Sequence, residues 1–434
     1  MITLQEELDN EFTGKSVTIS PNEDNTEWTI KVDDVEATVP AGKEDAPKVA
    51  LLPSAEGTTP YFPSTAFNQV DGTDLNTGLV ITDEVDKDRN STGNEYVWIE
   101  VPNSNLGGNP TFGPNYSAQG LTVNKIEGDL TETQKTAIEQ ALWSYTDSLI
   151  ARLSTNTDSY PINLNTTTKD CKDEWYSGCG ISGAEEYNTL YKNMLKNLYN
   201  HGGFWIGRYE AGIENARYEN GNIAEILKPL SKANLYPFNY VTCSQAQILA
   251  NKIDNVDNSS LLFGIQWDCV LKYLQEKNVV DVAGLTSNSS NWGNYREQKI
   301  TITRGKYWSW DDFASRFLPV NGDFVKNSGK MALFTTGAIP DDMAKQNIYD
   351  LAGNEWEWTL EHWTLDYNRG TVRGGGFNLS NHSTPVSNRY AFDPRKWWIL
   401  YSASVLQFIK FVKRVKLKKF LVCTVYFFIT IYLC

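Results

Sequence analysis

Asn347-Ile348-Tyr349-Asp350-Leu351-Ala352-Gly353-Asn354-Glu355-Trp356-Glu357-Trp358 is the chemically densest run in the chain, with the carboxylates of Asp350, Glu355 and Glu357 inside eight residues. Gly353-Asn354 permits a sharp turn with positive φ, and Ile348, Leu351 and the two tryptophans can bury. Tryptophans two apart share one face of an extended segment, so Glu357 points opposite to Trp356 and Trp358. Asp350 and Glu357, with main-chain carbonyls of the turn, can surround one hard cation such as calcium. The alternative is a strand entry whose acids are solvated.

The rest of the chain supplies the elements that position this run. Residues 1–42 read as a small β-rich module: a helix over 4–12, then strands over 16–20, 26–32 and 36–39, the second alternating through Trp28-Thr29-Ile30-Lys31-Val32. Residues 43–75 carry Pro47, Pro53, Pro60 and Pro63 among small residues and read as a linker. An antiparallel pair over 79–82 and 96–101 opens the main domain. Helices follow over 131–152, 185–200, 244–252 and 261–277, the first with Thr131 as N-cap and a stripe of Ile138, Leu142, Tyr145 and Leu149. Residues 286–345 read as irregular apart from a strand over 298–303, and 347–410 as short strands between loops. Helices first and strands last predict an α+β domain.

Composition excludes several function classes. At 434 residues, 41% hydrophobic and 12% aromatic, the chain can bury a sizeable core. A formal net charge of −14 repels a phosphate backbone and argues against nucleic acid as a partner. No GxSxG elbow is present, Gly374-Gly375-Gly376 lacks a P-loop lysine, and His201, His362 and His382 do not share helical ligand spacing. The six cysteines form no CxxC pair; Cys171 and Cys179 could close a small loop in an oxidising compartment. No leader is visible at Met1-Ile2-Thr3-Leu4, yet the Asn/Ser/Thr/Gly-rich loops point to an extracellular or cell-surface protein, with the cytoplasm as alternative. Residues 411–434 hold five bases and no acid and end in an apolar stretch short of the roughly 20 residues that span a bilayer. Membrane contact is expected only if that tail, or an anchor ahead of Met1, is native; a shifted reading frame is the favoured account of the tail.

The run at 347–358 resembles the signature of the formylglycine-generating enzyme (sulfatase-modifying factor) family, whose fold is a variant of the C-type lectin fold. Companions stand in the family's order: Gly203-Phe204-Trp205-Ile206-Gly207-Arg208-Tyr209-Glu210-Ala211-Gly212, Pro237-Phe238-Asn239-Tyr240-Val241-Thr242 leading into Gln245-Ala246, Phe263-Gly264-Ile265-Gln266-Trp267-Asp268, Arg373-Gly374-Gly375-Gly376-Phe377, and Arg389. The resemblance spans residues 76–410 and implies a calcium site at Asp350, Gly353, Glu355 and Glu357, with Gly353 and Glu355 giving carbonyls. It also implies side-by-side packing of the helices bearing Cys243 and Cys269, hence a disulfide between them. The family's oxidase needs two copper-binding cysteines after the Arg-Gly-Gly motif, and Leu379 and Thr384 stand there, so no copper is expected. Residues 1–42 resemble the globular end of pilin-like proteins.

Residues 377–402 mix small polar side chains with Tyr, Trp and Phe, the palette of an adaptable binding surface. The stretch from Arg373 to Lys410 resembles the variable region of retroelement-diversified proteins, lectin-fold binders without the oxidase cysteines. That resemblance implies ligand contacts at Asn378, Ser380, Asn381, His382, Asn388, Tyr390, Phe392, Asp393, Trp397, Trp398 and Tyr401, with Arg373, Pro385 and Arg389 as scaffold. The function expected is non-catalytic display of this surface to a protein or glycan ligand on a calcium-stabilised scaffold. The alternatives are a formylglycine-generating oxidase acting on a sulfatase cysteine and a structural pilin-like surface component.

Overall fold

A computed structural model of the protein describes residues 17–21, 27–32, 35–40, 52, 54, 56–64, 66–108, 110–122, 125–150, 173–215, 229–252, 259–311, 316–321, 323–362, 369–380, 384–396 and 407–409. The chain divides into two units, residues 1–51 with 65–68, and residues 52–64 with 69–434. In the first, Val17–Pro21, Glu27–Val32 and Val35–Pro40 form an antiparallel meander, with Ile19 opposite Ile30 and Thr29 opposite Thr38. These strands stand within a residue of the alternation that predicts them, while the helix expected over 4–12 lies outside the described residues.

In the second unit Val80–Thr82 and Glu95–Glu100 form the expected antiparallel pair. Gly203–Gly207 adds to the other edge of Glu95–Glu100, with Trp98 opposite Trp205. Gln407–Ile409 lies alongside Gly203–Gly207 and pairs antiparallel with Ser259–Leu261, Ser260 opposite Phe408. Helices Glu132–Ile150, Ala184–His201 and Gly264–Glu276 pack on one another and on these strands. Their stripes explain the packing, since Ile138, Leu142, Leu149, Met194 and Leu198 are all buried. Thr131 caps as expected: Gln134 N donates to Thr131 Oγ1 at 3.2 Å and Thr131 N to Gln134 Oε1 at 3.0 Å. The last helix starts at Gly264 rather than 261, because Ser259–Leu261 is drawn into the pairing with Gln407–Ile409.

Three expectations are corrected. Residues 57–61, expected to be linker, belong to the second unit. Trp98 Nε1 donates to Thr58 Oγ1 at 2.9 Å and Trp205 Nε1 to Tyr61 O at 2.8 Å, because buried indoles require acceptors. The 286–345 stretch holds more strands than the one expected: Lys306–Asp311 pairs with Arg316–Asn321 on one edge and Ala332–Phe334 on the other, and Ile300–Ile302 pairs with Phe324–Lys326. The disulfide expected between Cys243 and Cys269 is not formed; both are buried free thiols. Cys243 opens helix Cys243–Ala250, where its N–H donates to Pro394 O at 3.0 Å, while Cys269 lies within helix Gly264–Glu276, where burial pushes its thiol well above its usual pKa. Cys171 lies outside the described residues.

The run of chemical interest enters a sheet ordered Glu357–His362, Gly370–Arg373, Tyr390–Phe392, with Trp358 opposite Val372 and Val372 opposite Tyr390. Helices and several small antiparallel sheets together make an α+β arrangement. Among the described residues no helix is long and apolar enough to cross a membrane.

Candidate functional site

Asp350, Gly353 and Asn354 take left-handed φ of 59°, 71° and 56°, which folds residues 350–357 back on themselves. Glycine is required at 353, where a Cβ would stand 2.5 Å from Asn294 O. The turn is then tied on every side. Gly353 N donates to Gly374 O at 2.8 Å, Asn354 N to Asn294 O at 3.0 Å and Phe377 N to Asn354 O at 2.8 Å. Glu210, between strands Gly203–Gly207 and Ala211–Ile213, accepts from Glu355 N at 3.2 Å and from Asn354 Nδ2 at 2.7 Å. Asn294 Nδ2 donates to Asn354 Oδ1 at 3.0 Å, and Gly337 N donates to Asp350 Oδ2 at 2.6 Å.

Asp350, Glu355 and Glu357 are each 2% exposed or less, which removes the alternative of solvated acids at a strand entry. Glu210, fully buried, is the fourth acid of the group. Burial pushes its carboxyl well above the usual range, and the charges of Asp350, Glu357 and Glu355 push it further. Burial also takes Asp350 up to about 7, against the pull of the Gly337 N–H and Arg304. Sequence reasoning did not single out Glu210 or Asn294; the available signal was an acid set between Tyr209 and the apolar Ala211-Gly212.

Whether these residues suit calcium is decided by their oxygens. Asp350 Oδ1 and Asn294 Oδ1 are buried without a hydrogen-bond partner, so each oxygen is chemically able to ligate a hard cation. Among the described residues no three His, Cys, Asp or Glu side chains form a group able to hold a metal ion. The expected ligand set asks for two carboxylates, Asp350 and Glu357, with the carbonyls of Gly353 and Glu355 beside them. The orphaned Asp350 oxygen fits that set.

A second cluster anchors the loops that follow. Arg373 Nη2 meets Asp268 Oδ1 at 2.7 Å and Nη1 meets Glu361 Oε2 at 2.9 Å; Arg389 Nε meets Glu361 Oε1 at 2.5 Å and its Nη2 meets Asp268 Oδ2. Both guanidinium side chains are 2% exposed or less. Burial pushes Asp268 and Glu361 up and Arg389 down, while Arg373 pulls both acids back. Gly264 makes room, since a Cβ there would stand 2.4 Å from the Glu361 carboxyl. The pairs fix both ends of residues 374–388, as expected of Arg373 and Arg389. Inside that span Thr384, Pro385, Val386 and Ser387 are buried, Trp267 Nε1 donating to Val386 O at 3.1 Å.

The expected ligand residues distribute unevenly. Asn378, Ser380, Asn388, Phe392 and Asp393 are half-buried, and Tyr390 is 45% exposed. Asp393 is engaged by Arg395, Nε to Oδ1 at 3.0 Å. Tyr390 lies on buried Trp356 and Phe392 on buried Trp358, both with ring centroids 5.7 Å apart. Asn381, His382, Trp397, Trp398 and Tyr401 lie outside the described residues. At the positions of the oxidase cysteines, Leu379 N donates to Gly376 O at 3.0 Å and Thr384 Oγ1 to Ser380 O at 2.9 Å, neither offering a thiolate. No family model, curated protein or solved structure matches the chain.

Proposed function

We propose that the chain is a non-catalytic binding protein of C-type lectin-like fold that displays residues 377–402 to a protein or glycan ligand. The observation that carries this proposal is the closed cage of Arg373, Arg389, Asp268 and Glu361. It holds both ends of a loop, so the half-buried side chains of the span, such as Asn378 and Ser380, and those just beyond its ends can differ without loosening the core. Tyr390 and Phe392, supported from behind by Trp356 and Trp358, are its outward anchors. The direct test immobilises the full chain and measures capture of protein and glycan ligands by the native protein and by Tyr390→Ala. Capture is expected to weaken about tenfold or more, the scale of an aromatic anchor. Unchanged capture by a folded variant counts against this surface. Sequencing codons 373–401 from many cells of one population tests diversification, since uniform codons would mean a fixed specificity.

Calcium is the proposed stabiliser of the turn, held by Asp350 and Glu357 with the carbonyls of Gly353 and Glu355. When bound it supplies positive charge to a group of buried acids that has little of its own. The support is the unpartnered Asp350 Oδ1. A chelator and Glu357→Gln are each expected to lower the melting temperature, and added calcium to restore only the native protein; insensitivity to all three removes the ion.

A further inference from the structure

We infer that the Asp393–Pro394 peptide bond is a self-cleavage site, where the Asp393 carboxylate attacks its own main-chain carbonyl in mild acid and frees the chain from Pro394 onward. The inference does not depend on the ligand proposed above. Asp393-Pro394 is the one Asp-Pro pair in the sequence. Pro394 has no N–H, so its nitrogen cannot attack the aspartate side chain to give a succinimide, the reaction that competes at other Asp-X bonds. Its nitrogen also belongs to a tertiary amide, which is more basic than a secondary one and leaves more readily once protonated.

The fold adds three things. Residues 393–396 form a turn in which Lys396 N donates to Asp393 O at 3.0 Å, with proline at the second position, where its φ is already set. The oxygen of the scissile carbonyl thereby has a backbone donor ready for the charge that it gains under attack. The attacking group is held as well: Asp393 Oδ1 accepts from Arg395 N at 3.1 Å and Nε at 3.0 Å, and Oδ2 from Arg395 Nη2 at 3.2 Å. These bonds loop the side chain back across the bond that breaks. The leaving side is fixed too, since Pro394 is buried, its O accepts from Cys243 N at 3.0 Å, and a Cβ on Gly178 would stand 2.8 Å from its Cγ.

Acid sets the timing. Burial pushes the Asp393 carboxyl up, but the hydrogen bonds and charge of Arg395 and the charge of Lys396 outweigh it and leave the group below its ordinary value. The nucleophile therefore stays ionised in mild acid, where protons for the proline nitrogen are plentiful. The other charged or titratable groups nearby are Glu174, which acts on Arg395 from helix Asp173–Gly178, His362, opposite Gly370 in the sheet, and Arg369 beside it. In the reaction a carboxylate oxygen bonds to the Asp393 main-chain carbon and closes a five-membered anhydride. The bond from that carbon to the Pro394 nitrogen breaks, and the nitrogen takes a proton from the acidic solvent. Water then opens the anhydride, leaving a C-terminal aspartate and an N-terminal proline, with one water consumed in all and nothing oxidised. A charged amine is costly where Pro394 is buried, so the freed segment, with its strand Gln407–Ile409, is expected to leave.

The test incubates the full chain at pH 7.5, 6 and 5 and reads intact mass and the N-terminal sequence of any product, with circular dichroism to confirm the fold. The expected result is a cut between 393 and 394 alone, giving a fragment that begins Pro-Arg-Lys-Trp, and faster at pH 5 than at 7.5. At pH 5 the folded chain is expected to cut about tenfold or more faster than the same chain in 8 M urea. Asp393→Asn is expected to remove the product. Arg395→Ala is expected to lower the folded rate toward that in urea, with part restored by Arg395→Lys. Equal rates in the folded and unfolded chain would mean only the ordinary acid lability of the dipeptide and overturn the inference. So would no product at pH 5, a cut elsewhere, or an undiminished cut in Asp393→Asn. A native rate in Arg395→Ala overturns the positioning role of that arginine.

Discussion

Arg389 shows how much can depend on one side chain. It reaches Asp268 and Glu361 at once from a position shut off from water, so its removal leaves two buried acids sharing Arg373. Arg389→Ala is expected to cost about 3–5 kcal/mol, read as a lower urea midpoint, and Arg389→Lys to recover only part because ammonium lacks the two-pronged fork. His201 governs a different response. Burial lowers its pKa from 6.5 to about 4, opposed by the carbonyl of Thr59 at 3.3 Å from Nδ1. Between those values the unfolded chain binds the proton and the folded chain does not. Stability from this group is therefore complete above about pH 6.5 and falls as pH drops toward 4. Melting curves from pH 7.5 to 4 are expected to show a shallower decline for His201→Gln; parallel declines would exclude the imidazole as the cause. Arg373 was legible beside its glycines, but Asp268 stands 105 and 121 residues, and Glu361 12 and 28 residues, from the two arginines that each binds, and no spacing rule joins them.

Among the elements, helices were the most legible, because a stripe such as Ile138, Leu142 and Leu149 is written locally and the caps adjoin it. Thr242 and Gln245 form such a cap on Cys243–Ala250, each side chain binding the other's N–H. Thr242→Ala is expected to cost about 1 kcal/mol, measured by chemical denaturation, with Thr242→Ser close to native. Strands between 306 and 334 were illegible for the converse reason. Lys306–Asp311 exists by virtue of partners on both edges, and its aromatics serve a strand or a packed loop equally well. The turn at 350–357 stood between these cases: glycine, asparagine and the acids announced it, but Glu210, which ties it to a distant strand, did not.

Across the whole molecule the α+β class was visible in the order of periodicities, whereas the path of residues 57–61 over Trp98 and Trp205 was hidden by their linker-like composition. The strand Gln407–Ile409 sets a further condition, on the timing of synthesis. It is laid between Gly203–Gly207 and Ser259–Leu261, both made some 150 to 200 residues earlier. A ribosome delivers sequence in one direction, so the older strands must wait with a vacant place between them until residue 409 emerges. During that interval the nascent chain offers sheet edges that chaperones or neighbouring nascent chains can occupy. Nascent chains arrested before residue 407 has emerged are expected to be cut readily by protease within 203–261, and those arrested after 409 to resist; equal cutting would mean that the older strands hold without their last neighbour.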